Sequence, residues 1–497
     1  MNDLILALDQ GTTNTKALAV DAAGRVVAQA AVPMAVTTPA PGQVEQDPLR
    51  LAGSVLEAAA ACLAQVDRAR VAGVALSVQR ETVVAWDGAT GRPLGPALSW
   101  QDTRTAPDVA RLAAALPPGY VTATTGLPLD PMFSAPKAAW LLRQAGATAG
   151  TSGNTPATPK IGTVDAWLVW ALTGGAAHVT EAGNAARTLL LDLGRLAWDP
   201  TLVDAFGLPA AALPAIVPSD RPGLTLTEGA LAGLPLLSIM ADSHAALYCH
   251  ARDGVKVTYG TGSSVMARLP GATPPTPPAG IAATLAWLAG ATATTGTPTP
   301  AYALEGNIRY SGACLDWTAR LLGLAGGRAL GDLAATVPDA DGVTLVPAFG
   351  GLGAPHWLAG TAGVITGLQA AHGPAHLARA AFDAVAHQVA DVLEAMFAGH
   401  PHDLPAISAD GGASASALLM GRQAGLLGVP VAAAAVAEAS ALGTARLAAD
   451  TLGWPAWPMD PTVYQPSLDP ATREAARDAW RRAIGLARQT TTQGEPQ

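Results

Sequence analysis

The chain opens on short apolar runs set off by polar turns. Leu4 to Leu8 reads as a buried strand, Asp9-Gln10-Gly11-Thr12-Thr13 as a polar turn, and Lys16 to Val20 as a second strand. Asp21-Ala22-Ala23-Gly24 turns the chain again into a third strand from Val26 to Ala30. A helix follows, because Asp47 suits an N-cap, Pro48 suits the first helical position, and apolar residues recur every three or four positions from Leu51 to Val66. Val71 to Ser77 then returns as a buried strand. Hairpins mixed with helices at this spacing predict an α/β domain with a mixed rather than purely parallel sheet.

The same punctuation recurs in the second half. Val257-Thr258-Tyr259-Gly260-Thr261-Gly262-Ser263-Ser264 is again a polar turn between apolar runs. Two such elements, one early in each half, predict two related domains facing each other across a cleft, with the break near residue 240 (1–240 and 241–497). Further on, Pro374 precedes an amphipathic helix with apolar positions at Leu377, Ala381, Val385, Val389, Val392 and Met396. Asp410-Gly411-Gly412-Ala413 sits between an apolar run from Leu404 to Ile407 and a helical run from Ala417 to Leu427. The polar tail from Thr490 to Gln497 is expected to fray.

Composition narrows the class. At 497 residues, half of them apolar and 13% charged, the chain exceeds a single core and reads as a well-buried globular enzyme. A net charge of −9 argues against a nucleic-acid partner. Three scattered cysteines, Cys62, Cys249 and Cys314, make neither a disulfide framework nor a metal site and read as buried small apolar residues. Met1 leads straight into a strand without the basic region of a signal peptide, and the apolar core of the longest uncharged stretch, Ile281 to Ala289, is too short to span a bilayer. A cytoplasmic protein without membrane insertion is expected.

The turn Asp9 to Thr13, with Lys16 behind it, is the first phosphate-binding candidate. Glycine lets backbone approach an anion, successive amides make a concave nest, and Thr12 and Thr13 add hydroxyl donors. Asp9 would repel phosphate unless a divalent cation intervened, so it suits a ligand of magnesium or of its waters. An ordinary hairpin turn is the plainer alternative. Tyr259 to Ser264 is a second such nest, and Asp410-Gly411-Gly412-Ala413 could let a nucleotide lie on bare backbone. None of these matches the Walker pattern, which argues against a P-loop enzyme.

Asp242 follows the apolar run Leu236 to Ala241 and is placed to face the cleft, where a carboxylate can take the proton of an attacking hydroxyl. A helix N-cap is the equal alternative, and nearby His244 reads as structural. Arg80-Glu81 sets a donor fork beside an acceptor, a pair that suits alternating hydroxyls, and Trp100 could cover a carbon skeleton. Taken alone these are a surface ion pair and a core aromatic.

Their order along the chain changes that balance. The segments LALDQGTTNTKALAVD, SVQRETVVAWD, SWQDTRT, TGLPLDPMFSAPKAAWLL, TYGTGSS, YALEGNI, DGGASASALLM and EASALGTA resemble the FGGY carbohydrate kinases over nearly the whole chain, and the glycerol kinases most closely within them. The resemblance implies two actin-like (ribonuclease-H-like) domains with ATP, Mg²⁺ and a small polyol or sugar in the cleft, and a homodimer or homotetramer. It implies that Asp9 organises magnesium and that Thr12, Thr13 and Lys16 contact phosphate. It assigns Gly260 and Thr261 to the second phosphate turn, Gly412 and Ala413 to the nucleotide wall, and Asp242 to the catalytic base. Arg80, Glu81, Trp100 and Asp242 would hold the acceptor.

The departures gather around that acceptor and the nucleotide. Met132 stands for a Tyr, Ser243 for a Gln, Ser264 for a Phe and Ser416 for a nucleotide-side Asn, while Ala138 is smaller than the usual apolar residue. Losing two aromatic walls enlarges the pocket. Glycerol or a similar polyol is expected first, with xylulose or another four- or five-carbon acceptor behind it. Arg80-Glu81 argues against the xylulokinases, whereas Phe133 to Lys137 leans toward them. An actin-like ATPase or binding module without a sugar acceptor is the rival from another class.

Overall fold

The computed structural model describes residues 3–152, 158–250, 254–290, 297–358, 360–397, 407–434, 438–458 and 460–490. The tail beyond Thr490 and the start of the expected run at Leu404 lie outside them. Strands β1 (Leu4–Gln10), β2 (Asn14–Asp21) and β3 (Val26–Pro33) form the expected meander. Strand β1 runs two residues past the apolar stretch, so Asp9 and Gln10 are still paired, to Lys16 and Thr15. Helix α1 (Pro48–Leu63) starts as anticipated, Asp47 accepting the Leu49 amide.

Strand β4 (Val71–Val78) lies parallel to β1. With β5 (Asp220–Thr225) and β6 (Pro235–Ala241) it completes a six-stranded mixed sheet ordered β5-β6-β4-β1-β2-β3. A smaller four-stranded sheet, from Glu45–Gln46, Val83–Asp87, Ala97–Leu98 and Pro159–Thr163, leans on helix α2 (Ser134–Ser152).

The second half repeats the plan. Strands β7 (Val255–Tyr259), β8 (Ser263–Arg268), β9 (Ala282–Ala289) and β10 (Thr299–Ile308) pair antiparallel, and β11 (Ile407–Asp410) joins β7 in parallel. With β12 (Val431–Ala433) and β13 (Thr462–Tyr464) the sheet has seven strands, ordered β9-β10-β8-β7-β11-β12-β13. Each unit thus has an antiparallel meander extended by parallel strands, which is the actin-like arrangement.

Four helices matter to the site. Helix α3 (Asp242–His250) begins directly after β6, α4 (Pro374–Met396) is the long helix expected after Pro374, and α5 (Ala417–Leu427) follows the glycine pair. The fourth, α6 (Ala439–Leu452), comes late in the chain yet packs on β1, β4 and β6 of the first sheet as well as on α3. Ala441, Ala445, Ala448 and Ala449 share a core with Ile5, Ala7, Leu18, Val20 and Ala75. Small residues along one face let this helix lie close to the sheet. Cys62, Cys249 and Cys314 are buried and free, as expected.

Candidate active site

The first turn is held from beneath by a ladder of amides. Gln79 Nε2 donates to Gln10 Oε1 at 2.9 Å and to Gln46 Oε1 at 3.0 Å, and Gln46 Nε2 donates to the Thr12 carbonyl at 2.9 Å. The Thr12 hydroxyl is then met from above by the Trp100 indole N–H at 3.1 Å. Trp100 is 37% exposed, so its ring lies open while its nitrogen is fixed. The two phosphate-turn and acceptor candidates are thus joined by one hydrogen bond.

Asp9 sits at the end of β1 beside this turn. Burial, reinforced by the nearby Asp242 carboxylate, raises it to about 7. Its Oδ1 is buried, and the Ser77 hydroxyl beside it only partly offsets the burial, without a hydrogen bond of good geometry. A buried, weakly satisfied hard oxygen beside a second carboxylate suits a magnesium ion, and among the described residues no group of three acidic, His or Cys side chains could hold a metal unaided. The rest of the coordination shell would come from water and phosphate. Lys16 does not point free toward the turn. Its ammonium is held by both carboxylate oxygens of Glu438, at 2.8 and 2.7 Å, at the head of α6.

Asp242 opens α3 and is about a third exposed to the cleft. Its carboxylate accepts the Ser243 amide at 2.6 Å and lies 3.5 Å from Arg80 Nε. Burial raises its pKa, against the pull of Arg80. Arg80 in turn reaches Glu305 at 2.8 Å, and Arg187 bridges Glu305 and Glu81, each at 2.7 Å. This buried chain of alternating charges fixes the Arg80-Glu81 pair; isolated, each charge would be costly to bury. Glu305 is held well below the usual carboxylate range by its two arginines, which outweigh its burial.

Glu81 occupies the left-handed region at φ 61, a strained state for a residue with a Cβ. Ser134 Oγ donates to its carbonyl at 3.0 Å, and Arg187 ties down its side chain. Three positions further along α2, Lys137 donates to the carbonyls of Ser99 and Met132, at 2.9 and 2.6 Å. The segment Phe133 to Lys137 therefore braces Glu81 and Met132 directly, and Trp100 through its neighbour Ser99. Met132 itself packs against the core of the small sheet.

The second turn abuts the start of the helix Gly312–Leu321. Gly312 N–H donates to the Gly260 carbonyl at 2.9 Å, and Ser311 and Ala313 donate to the Thr261 carbonyl at 3.0 Å. A Cβ on Gly312 would strike the Gly260 carbonyl at 2.6 Å. Gly411, at φ 87, presses against the Tyr259 backbone and so brings Gly412 and Ala413 beside the turn. The Ser416 hydroxyl caps α5 by accepting the Leu419 amide at 3.3 Å. Beneath lies Lys256, wholly buried, its pKa lowered by burial despite nearby Asp410.

The sequence reading missed Arg187, Glu305, Glu438 and Gly312. Glu305 carried a usable signal, being a lone acid inside the apolar strand Ala301 to Ile308, but its partners lie more than a hundred residues away.

Two actin-like sheets flanking a cleft lined by two glycine turns and a carboxylate define a phosphotransferase of the sugar-kinase class. The chain belongs to the FGGY family of carbohydrate kinases. Its N-terminal domain matches residues 4–249 and its C-terminal domain residues 255–452. The protein is similar to an apulose kinase of Pectobacterium atrosepticum, 41% identical with 98% of each chain covered. It is also similar to a glycerol kinase of Aromatoleum aromaticum, 42% identical over 97% of this chain and 98% of the other. Among solved structures, Plasmodium falciparum glycerol kinase with ADP superposes with a TM-score of 0.87 at 24% identity, covering 97% and 98% of the two chains. A ligand-bound xylulose kinase from Lactobacillus acidophilus gives 0.82 at 21%, covering 99% of each. The enzyme is thus an ATP-dependent phosphotransferase acting on an alcohol group of a small polyol or sugar.

Proposed function

We propose that Asp242 is the general base that accepts the proton of a terminal hydroxyl as it attacks the γ-phosphate of ATP in line. The observation that carries this reading is the position of Asp242 at the head of α3, beside Arg80 at 3.5 Å and within electrostatic reach of Asp9. Arg80 and Glu81, pinned by Arg187 and Glu305, hold adjacent hydroxyls of the acceptor, and Trp100 covers its carbons. Amides around Thr12 and Thr261 face the phosphates, and Gly412 and Ala413 back the nucleotide. Asp9 would hold magnesium, which when bound supplies positive charge against the phosphate oxygens. Holding the reacting atoms in line is where such a site gains most of its rate.

Residues 1–240 would supply the magnesium turn and most of the acceptor site, and residues 241–497 the base and most of the nucleotide site. Glycerol or a similar polyol and a four- or five-carbon ketose such as apulose or xylulose are the acceptors to compare, given the named relatives. Among the described residues no helix is long and apolar enough to cross a membrane, and with ATP as donor the reading is of a cytoplasmic enzyme. Replacing Asp242 by Asn is expected to lower kcat by about 10²–10⁴-fold with ADP affinity retained. A variant that keeps near-normal turnover would sink the assignment.

A further inference from the structure

The face of the second sheet that looks toward Asp242 can be read from its register. Met266 on β8 and Ala301 and Ala303 on β10 pack with Met240 and Ala245, which flank Asp242 at the junction of β6 and α3. Side chains alternate along a strand, so Ser264, two residues before Met266, and Glu305 and Asn307, two and four residues after Ala303, share that face. The opposite face carries Val265, Tyr302, Leu304 and Ile308 into the large core. Ser264 and Asn307 are direct cross-strand partners, which puts their Cβ atoms about 5 Å apart.

This pair lies between the two functional features already described. On one side is Glu305, two residues along β10 from Asn307 and bonded to Arg80. On the other is the second phosphate turn, since β8 begins at Ser263, directly after Gly262. A group seated there would touch the acceptor between its anchoring end and its reacting end. Both residues are of intermediate exposure, although the Ser264 hydroxyl oxygen is itself buried. The Ser264 hydroxyl nonetheless has no hydrogen-bond partner. A serine hydroxyl and an asparagine amide together offer donors and acceptors, which is what recognition of a neutral hydroxyl or carbonyl needs.

We propose that Ser264 and Asn307 form a further subsite for an oxygen of the acceptor, and that the acceptor is therefore a ketose or polyol of four or five carbons rather than a three-carbon triol. The inference rests on the kinase reading above. Arg80 with Glu81 and then Asp242 account for the three hydroxyls of a triol, and the Ser264–Asn307 pair is left to meet a fourth oxygen. A site that expects such an oxygen discriminates against the analogue lacking it, because its own polar groups are otherwise left unpaired.

The test compares ADP release by the full chain with glycerol, erythritol, D-erythrulose, D-xylulose, L-ribulose and apulose. The quantity read is the ratio of kcat/KM for the best longer acceptor to that for glycerol. The expected ratio is above about ten, falling roughly tenfold in Ser264→Ala and in Asn307→Ala, chiefly through KM for the longer acceptor. Circular dichroism of each variant separates this from loss of fold, and the wild-type ratio stands without any variant. A wild-type preference for glycerol, or a ratio that neither folded substitution moves by twofold, overturns the subsite and leaves the kinase reading intact. ATP consumption indifferent to every acceptor overturns the kinase reading itself.

Discussion

Asp9 shows how one residue's surroundings set its chemistry. Burial raises it to about 7, and the carboxyl is neutralised more easily than any solvent-exposed aspartate. Because the folded value is raised, the group contributes stability below its unfolded value near 4, and that contribution is lost as pH climbs through about 7. In EDTA, the melting-temperature advantage of Asp9→Asn over the wild type should therefore grow from pH 5 to pH 8; a constant difference would contradict the shift. Magnesium binding should show the mirror image, with affinity falling as pH drops below 7, measurable by calorimetry. Asp9, Asp242, Arg80 and Glu81 could be singled out only through the order of their segments and the family resemblance, since each alone reads as well as a turn, a helix cap or a surface ion pair. The left-handed backbone of Glu81 was not legible, since it depends on Arg187 and Ser134, distant in sequence.

At the scale of elements, α3 and α6 cross backbone against backbone. A Cβ on Gly443 would collide with the Ala245 carbonyl, so the crossing exists only because that position is glycine. Gly443→Ala should cost about 1–3 kcal/mol of stability by overpacking. Because α3 carries Asp242, kcat should also fall, by roughly a hundredfold for a displacement near 1 Å. Denaturant melts and ADP release measure the two effects, and unchanged stability would show that α3 can move freely. Conversely, Ala138 on α2 borders a small apolar cavity with Val83, Ile161, Leu190 and Leu213. Ala138→Val should raise stability by about 0.5–2 kcal/mol, read as a higher denaturant midpoint. Strands and helices were legible from their periodicity. Strand β1 ran past its apolar stretch because pairing to β2 continues through Asp9 and Gln10, which hydrophobicity does not report.

For the whole molecule, the linear order of the chain and the spatial order of its parts differ. The apolar face formed by Ile5, Ala7, Leu18 and Ala75 is covered by residues 441–449, from the far end of the sequence. Lys16, paired with Glu438 across the same junction, fastens the turn to that returning helix. A fragment of residues 1–250 is expected to be insoluble or to lack a cooperative melt; a soluble fragment with a sharp transition would show the cover to be dispensable. Nothing in hydrophobic periodicity marks this return, because α6 looks like any small-residue helix until its partner sheet is known.

The same return sets a clock on biosynthesis. The strand ending at Ala241 leaves the ribosome about 200 residues before Ala441 does, and at about 5–20 residues per second that interval lasts on the order of 10–40 s. For that time the first sheet has one greasy side without its cover, and the nascent chain is a natural client for chaperones.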